Sequence, residues 1–575
     1  MPLLRHNENR IFSLPTPSSP PLMTRDNSAS STLRPSQSLD RPNTQGTSEK
    51  APQTPDDEVV AEANTKGLQL ALITLALCLS VFLVALDNTI IATAIPKITD
   101  QFQSLDDVGW YGSAYLLTTA SFQLLFGKFY TFLNIKWVYM FAIGTFEVGS
   151  LICGVAPTSN VLIVGRAISG LGSAGIFSGA LIIVANVVPL RNRPLFSGMV
   201  GSMYGIASVA GPVMGGALTD KASWRWCFLI NLPIGIVTLI VMVLFFKTPP
   251  EIVRGEATST SVAKRFRRLD PWGTAIFVPA VICVLLALQW GGTKYSWGSA
   301  RIQALLVVFA VLISIFVGVQ IKEREENATV SPRILTQRSI LAGAWYSFCA
   351  GAGFYILVYF LPIWFQSIKG VSAVKSGIDN LAMILSLTLG TILAGSMVTV
   401  LGQYAPFMIL GSVIMPIGAG FISTLTVNSG HVKWIGYQVI FGFGAGLGLQ
   451  QPFIAAQAVL EPKDVPPGTS LLVFLQTLGG ALFVSVGENI FTHRLIAGLA
   501  REVPGLDPRI VLGIGATDLK TTIPPHYLPV VLEVYNDALV STFHIAIVMV
   551  SLSIFGALGM EWKNIRGRKV EVTLG

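Results

Sequence analysis

The stretch GLQLALITLALCLSVFLVALDNTIIATAIP, from Gly67 to Pro96, is apolar over almost its whole length. A membrane-spanning helix needs about 20 consecutive apolar residues, and this run supplies nearly all of them before its first ionisable residue, Asp87. The run is too long for the apolar core of a cleavable signal peptide. The stretch therefore predicts a first membrane span that is not cleaved.

Similar apolar runs recur along the chain, which is 52% hydrophobic and only 12% charged, whereas soluble domains carry about 25% charged residues. A soluble protein this apolar would expose large sticky patches, so lipid is the expected solvent for much of the surface. In lipid a spanning segment must satisfy its own backbone hydrogen bonds, which predicts an all-α polytopic membrane protein. About fourteen candidate spans follow, centred near residues 82, 120, 146, 175, 207, 236, 280, 310, 352, 388, 415, 446, 478 and 550.

Positive charge marks one side of the predicted membrane. Lysines and arginines concentrate in alternate links, among them Arg191 and Arg193, the run Lys264 to Arg268, and the segment Lys322 to Arg338. Cytoplasmic loops carry such an excess, so an even number of spans places both termini in the cytoplasm. The same links account for the net charge of +8. Since the sequence has no helix-turn-helix, zinc-finger or aromatic RNA-binding signature, nucleic acid is not expected as a partner.

Cysteine and histidine usage indicates neither disulfides nor a metal site. No CxxC pair occurs, and the histidines are scattered along the chain, which argues against a membrane-embedded metalloenzyme. The sequon Asn327-Ala328-Thr329 falls on the predicted cytoplasmic side and is expected to stay unmodified. The five cysteines all lie in apolar stretches, at Cys78, Cys153, Cys227, Cys283 and Cys349.

Four ionisable residues lie inside predicted spans, where a charge costs several kcal/mol. They are Asp87 in span one, Glu147 in span three, Arg166 in span four and Glu488 near the end of span thirteen. Each of them either pairs locally or reaches the membrane interface, or else they belong to a proton-coupling network. In such a network carboxylates gain and lose protons while Arg166 biases their pKa values.

Span five carries a glycine pattern around one proline: Gly205, Gly211, Pro212, Gly215 and Gly216. The glycines allow a neighbouring helix to approach closely, and Pro212 removes a backbone donor. The pattern fits tight packing alone, or a helix that serves as a pivot in a rocking transporter. No Gly-Lys-Ser/Thr element follows any glycine run, so no nucleotide-binding loop is predicted. The energy for transport must then come from an ion gradient, or the transport is passive.

Several motifs, in their order along the chain, resemble the major facilitator superfamily, and within it the fourteen-span drug:proton antiporters of the fungal toxin-pump type. The resemblance covers roughly residues 67 to 562. One such motif would be a weak signal, but the ordered set is a strong one. The matching stretches are Leu86 to Pro96, Gly127 to Lys136, Leu162 to Gly172, Gly205 to Leu218, Trp224 to Gly235, Trp290 to Trp297 and Tyr359 to Gln366.

Two motifs depart from the family pattern. The loop motif between spans two and three has Thr131 in place of an acidic residue and Asn134 in place of a glycine, although Lys128 and Lys136 keep its positive charge. The salt bridge that the family builds at this loop therefore lacks its usual acid. In the span-four motif, Ser169 stands where glutamine is common.

The resemblance implies two six-helix bundles that enclose a midplane cavity, plus two additional helices, here spans seven and eight. It also implies a gating role for Gly127, Lys128 and Lys136 and for the glycines of span five. Aromatic residues of span nine are candidates to line the cavity, with lipid contact or helix packing as the alternative for each: Trp345, Tyr346, Phe354, Tyr355, Tyr359 and Phe365.

The expected domain organisation follows from the predicted spans and the family resemblance. It comprises a disordered cytoplasmic tail (1–66), an N-terminal bundle (67–247), a cytoplasmic linker (248–269), the two additional helices with the following loop (270–338), a C-terminal bundle (339–562) that includes an extracytoplasmic loop (492–536), and a cytoplasmic tail (563–575).

The implied function is proton-coupled export of small lipophilic organic compounds, such as toxins, secondary metabolites or drugs, by alternating access. The expected energy source is the proton gradient, with no cofactor and no metal. The expected address is the plasma membrane, with a vacuolar or vesicular membrane as the alternative, and the chain is expected to work as a monomer. Two other functions stay open: an uptake carrier for a nutrient or siderophore, and a transporter-like receptor without turnover.

Overall fold

The computed structural model of the protein describes residues 55–102, 107–246, 269–292, 294–323, 328–513 and 519–565. Within these ranges the chain is helical, and the only β-type pairing is an isolated bridge between Gly291 and Tyr295. The described residues from Glu62 onward form one compact unit. Residues 1–54 of the predicted tail, residue 247, residues 248–268 of the predicted linker, Asn327 and residues 566–575 lie outside the described ranges.

In its described residues the N-terminal bundle contains seven helices, because the sixth predicted span is divided near its start. Helix α1 begins at Pro55, inside the segment predicted to be a disordered tail. A proline at the first position followed by acidic residues favours a helix start, which explains why the helix extends beyond its apolar core. The helices are α1 (Pro55–Phe102), α2 (Val108–Phe132), α3 (Ile135–Val155), α4 (Ser159–Val187), α5 (Arg193–Lys221), α6 (Trp226–Leu229) and α7 (Asn231–Phe245).

The two additional helices are α8 (Pro271–Trp290) and α9 (Ala300–Lys322), which pack against each other, and α8 also contacts α2. Buried Asp270 joins them at one end. Its Oδ2 accepts hydrogen bonds from Gln320 Nε2 at 2.7 Å and from Thr329 Oγ1 at 2.7 Å. Thr329 is the third residue of the predicted sequon, whose acceptor Asn327 lies outside the described residues, so the unmodified state stays a prediction.

The C-terminal bundle follows a short helix, α10 (Pro332–Thr336). Its first long helix ends in a π-helical turn at Phe365–Lys369. Its members are α11 (Arg338–Trp364), α12 (Ala373–Asp379), α13 (Leu381–Leu401), α14 (Ala405–Ile422), α15 (His431–Gly448), α16 (Gln451–Val459), α17 (Val465–Glu502), α18 (Pro508–Gly513), α19 (Leu519–Thr522) and α20 (Leu528–Gly559).

All fourteen predicted span centres fall within long helices, and the predicted all-α polytopic fold is confirmed. In the described part of the chain, twelve segments are long and apolar enough to cross a membrane, so the count of fourteen stays a prediction. The two remaining helices are α2 and α5, which are rich in glycine and hydroxyl side chains. Both pack against helices of the C-terminal bundle, and a helix enclosed by protein needs less apolar surface than one that faces lipid.

The contact between the bundles runs mainly through α2, which packs on α17, and through α5, which packs on α12 and α13. The predicted extracytoplasmic loop 492–536 is shorter than expected, since α17 continues to Glu502 and α20 begins at Leu528. These helices extend past their apolar cores into polar sequence, where hydropathy no longer reveals them. The connection between them runs over residues 503–527.

Candidate functional site

A buried ion pair links α1 to α4. Arg166 Nη1 lies 2.5 Å from Asp87 Oδ2, and both side chains are 0% exposed. The Arg166 Nε donates to the backbone carbonyl of Tyr111 at 2.7 Å, and the guanidinium carbon lies 4.5 Å from the ring centroid of Tyr115. Removing the charge of only one partner in such a buried pair strongly destabilises the folded protein, because the other charge is left uncompensated.

Asn231, the first residue of α7, completes the surroundings of Asp87. Its Nδ2 donates to Asp87 Oδ1 at 3.3 Å and to Ser150 Oγ of α3 at 3.1 Å. The sequence analysis quoted the motif that contains Asn231 but did not assign this residue a role. The available signal was one amide inside the apolar run Phe228 to Gly235, since a buried polar group requires partners.

Glu147 lies one turn before Ser150 on α3 and is 7% exposed. Neither of its carboxylate oxygens has a hydrogen-bond partner. The side chain points at Gly235 of α7, where an added Cβ would overlap the carboxylate. Glu147 also lies close enough to Asp87 for their charges to interact. Three of the four predicted ionisable residues therefore lie together in the N-terminal bundle.

Glu488, the fourth of these residues, lies elsewhere. It is on α17, in electrostatic range of Tyr359 of α11 and Tyr535 of α20. All three helices belong to the C-terminal bundle. The structure therefore does not bring Glu488 to the Asp87–Arg166 pair.

The glycines of α5 lie between α1 and the C-terminal bundle. An added Cβ at Gly211 or Gly215 would overlap Thr89 or Thr93 of α1, while Gly205 faces α13. The prediction that these glycines allow close helix approach is confirmed by this geometry. On the other side, an added Cβ at Gly216 would lie 2.8 Å from Val374, and one at Gly377 would lie 3.2 Å from Pro212.

The loop motif lies where α2 meets α17. A Cβ on Gly127 would lie 2.8 Å from Ser470 Cβ, which shows how closely the two helices approach. Lys128 is buried and is in electrostatic range of Asp270 and Asp464. The family's usual acid is absent from this loop, but two acids from elsewhere in the chain provide negative charge near Lys128.

Asp464 also forms an ion pair with Arg333, with 2.6 Å between Nη2 and Oδ2. Burial raises the pKa of Asp464 above its ordinary value, and the Arg333 charge opposes that shift. Lys136, by contrast, lies away from this contact, since its Nζ donates to the Val243 carbonyl in the last turn of α7 at 2.7 Å. Asn134 caps α3 by accepting from the Lys136 amide at 3.0 Å, a role that does not require glycine.

The six aromatic candidates of span nine do not share one face. Trp345 and Tyr359 are 46% and 50% exposed. Tyr346 and Phe365 are buried within the C-terminal bundle, Phe365 against Trp434 with 4.9 Å between ring centroids.

Tyr355 faces the N-terminal bundle. Tyr355 is in electrostatic range of Tyr204 of α5 and Tyr115 of α2, and Phe354 packs beside it at 5.7 Å. The aromatic lining of the cavity by this helix stays a prediction.

The site offers acid–base and electrostatic chemistry. Within the described residues, no group of three or more His, Cys, Asp or Glu side chains has the geometry to hold a metal ion. Asp87 can exchange a proton, and Arg166 and Asn231 are placed to stabilise its charged form. Because Asp87 belongs to α1 and α1 packs on the α5 glycines, a change of charge at Asp87 acts on a helix that contacts the other bundle.

Comparisons with known proteins identify the family of the chain. The chain is 58% identical over 505 residues to an MFS-type efflux pump of Trichophyton rubrum, covering 88% of this chain and 94% of the relative. It is 52% identical over 494 residues to an efflux pump of Penicillium rubens, covering 86% and 91%. Among solved structures, the proton:xylose symporter XylE shares the fold at a TM-score of 0.55 with 13% identity, covering 86% and 98%. Residues 77–484 match the Major Facilitator Superfamily, and the chain belongs to that family.

Proposed function

We propose that this protein is a proton-coupled exporter of small lipophilic organic compounds, including toxins, secondary metabolites or drugs. The observation that carries the proposal is the fully buried Asp87–Arg166 pair, an ionisable site placed where protonation changes the packing of α1. Relatives that are 58% and 52% identical over most of the chain are named efflux pumps, which supports export as the direction.

The coupling step begins at Asp87. While Asp87 is charged, it holds Arg166 and Asn231. A proton on Asp87 removes the Coulomb attraction to Arg166, although Arg166 retains the Tyr111 carbonyl and the Tyr115 ring. The free energy that holds α1 against α4 then decreases, and α1 can shift relative to α4.

The shift reaches the second bundle through α5. Thr89 of α1 donates to the Ala207 carbonyl of α5 at 3.0 Å, and α5 packs on α12 and α13. A movement of α1 thereby changes the contact between the bundles, which is what alternating access requires. We place the protein in the plasma membrane as a monomer with both termini cytoplasmic, and an internal membrane is the alternative.

The test is efflux of lipophilic fluorescent compounds from cells that express the protein, with and without a protonophore. Asp87→Asn and Arg166→Ala should each reduce net efflux to the protonophore-treated level. Asp87→Asn, which mimics a permanently neutral side chain, should retain exchange of substrate across the membrane when substrate is present on both sides.

The matched control is Asp379→Asn, because Asp379 is a buried carboxylate paired with Lys375 at 2.8 Å in the C-terminal bundle. That variant should keep protonophore-sensitive efflux. Accumulation of the compounds instead of efflux would support an uptake carrier. Full protonophore-sensitive efflux by Asp87→Asn would remove Asp87 from the coupling step.

A further inference from the structure

Aromatic rings meet across the two bundles. Phe177 of α4 contacts Tyr204 of α5, with 5.3 Å between ring centroids and 83° between planes. Phe177 also contacts Phe453 of α16 in the C-terminal bundle at 6.1 Å and 84°. Edge-to-face contacts of this kind join the bundles through apolar surface that can re-form on another aromatic ring.

An amide with an unused acceptor lies beside these rings. Gln450 occupies the break between α15 and α16, is 9% exposed, and its Oε1 has no hydrogen-bond partner. The amide lies against α5 at Gly201, where an added Cβ would overlap it. Gly201 is one turn before Tyr204, and Phe453 is one turn after Gln450, so the amide and the rings lie side by side where α5 meets α16.

This cluster of side chains also adjoins the ionisable site. The Tyr204 hydroxyl is in electrostatic range of Tyr115 and Tyr355, and Tyr115 carries the Arg166 guanidinium above its ring. Discontinuous helices at the interface of two repeats are a usual location of substrate sites in transporters. The contacting side chains Phe177, Tyr204, Phe453 and Gln450 are all neutral.

We propose that Gln450, with Tyr204, Phe177 and Phe453, forms a binding site for a neutral aromatic compound that bears a hydroxyl or N–H donor. The inference rests on the proposed function and names its substrate class. The rings supply flat apolar surface, and a ligand donor would satisfy the buried Oε1, which otherwise remains desolvated without a partner. A neutral amide offers no charge to attract an organic cation.

The experiment measures binding to the purified full chain in lipid nanodiscs, without a proton gradient, by fluorescence titration. The probes are 6-hydroxyflavone and 6-methoxyflavone, which differ in one hydrogen-bond donor. The wild type should bind the hydroxyl compound about fivefold more tightly, the effect of one net hydrogen bond. Gln450→Met should abolish that preference while leaving 6-methoxyflavone affinity within about twofold, which also shows that the variant is folded.

Gln438 provides a matched control. It is a second buried glutamine with an unpaired Oε1, but its Nε2 donates to the Asp379 carbonyl inside the C-terminal bundle at 3.1 Å. Gln438→Met should keep the preference for the hydroxyl compound. Tyr204→Ala should weaken both probes about tenfold, because it removes an aromatic surface.

Three results would overturn the site: an unchanged hydroxyl preference in Gln450→Met, an equal loss in Gln438→Met, or no binding of either flavone by folded wild type. If Gln450→Met loses its thermal unfolding transition, Gln450→Leu replaces it under the same criteria. Selective binding by a wild type that exports nothing would keep the site and reject the proposed exporter. If the wild type exports compounds in a proton-coupled manner but Gln450→Met binds both flavones with wild-type affinity, the exporter is kept and the site is rejected.

Discussion

Glu147 is a buried carboxylate whose two oxygens lack hydrogen-bond partners. A buried charge without partners carries a desolvation cost that a neutral amide of the same shape largely avoids. We therefore expect Glu147→Gln to unfold at a temperature equal to or above that of the wild type, with efflux within about twofold, since no contact with Arg166 or Asn231 is removed. Thermal unfolding in detergent and whole-cell efflux provide the measurements.

The opposite outcome at Glu147 has a clear meaning. If Glu147→Gln is folded but loses protonophore-sensitive efflux, Glu147 carries the coupled proton and Asp87 has a structural role. Glu147→Ala serves as the size control, because it removes packing against Gly235 as well as the charge. A drop in unfolding temperature for alanine alone would assign the packing effect to side-chain volume.

At the scale of elements, the crossing of α1 and α5 depends on the absence of side chains. A Cβ at Gly215 would lie 2.8 Å from the Ile90 carbonyl oxygen of α1, a backbone atom that cannot move aside cheaply. We expect Gly215→Ala to destabilise the protein by about 1–3 kcal/mol, typical of overpacking. Gly144→Ala in α3 is the control, because nothing lies within 4 Å of its added Cβ, and it should not lower the unfolding temperature. Equal unfolding temperatures for the two variants would contradict the close crossing.

A second element-scale contact joins the ends of α11 and α20. Glu561 Oε2 accepts from Ser339 Oγ at 2.7 Å and from Gln337 Nε2 at 2.8 Å. These hydrogen bonds, the Ser339 bond foremost, hold the pKa of Glu561 below its ordinary value of 4.5. When folding lowers the pKa of a carboxyl group, the charged group stabilises the folded state at pH values above its ordinary pKa. This stabilisation is lost as the pH falls through the folded-state pKa.

The effect of Glu561→Gln on the unfolding temperature should therefore depend on pH. The variant should unfold at a lower temperature than the wild type at pH 7, and the difference should shrink below a pH of about 4.5, where the wild-type carboxyl becomes protonated. Glu533→Gln, at an exposed position of α20, makes the same charge change and should show little difference at either pH. A Glu561→Gln deficit that is constant from pH 7 to pH 3.5 would exclude a contribution from the carboxylate charge.

At the scale of the whole molecule, local patterns in the sequence predicted the helices and the buried charges. Contacts between segments that are distant in sequence could not be predicted in this way. Apolar runs located every long helix, and the cost of charge in lipid identified Asp87, Glu147 and Arg166. Lys128 has Asp464 of the other bundle nearby, and no local pattern reveals a neighbour that distant in sequence.

The aromatic candidates show a second limit. Successive helical residues point about 100° apart, so Trp345 and Tyr346 face different surroundings. Only the packing of neighbouring helices tells which one of them meets lipid and which the core. Asn231 was missed for a related reason, because its role depends on Asp87 and Ser150 arriving from two other helices.

The contact between α2 and α17 is the place to test whether the bundles separate during transport. With the five native cysteines replaced by alanine, Gly127→Cys and Ser470→Cys place two thiols on facing helices of different bundles, within reach of a disulfide after a small shift. Alternating access requires this contact to open. Oxidation should therefore reduce efflux at least about tenfold, and dithiothreitol should restore it, as measured by compound efflux from oxidised and re-reduced cells.

The matched pair is Ala342→Cys with Gly559→Cys, where the added Cβ of Gly559 lies 3.2 Å from Ala342 Cβ within the C-terminal bundle. This cross-link joins α11 to α20, which move together if each bundle rocks as a rigid body. Its formation should leave efflux unchanged. Normal efflux with the Gly127–Ser470 positions fully cross-linked would mean that α2 and α17 stay in contact through the cycle, and the opening would then have to occur elsewhere between the bundles.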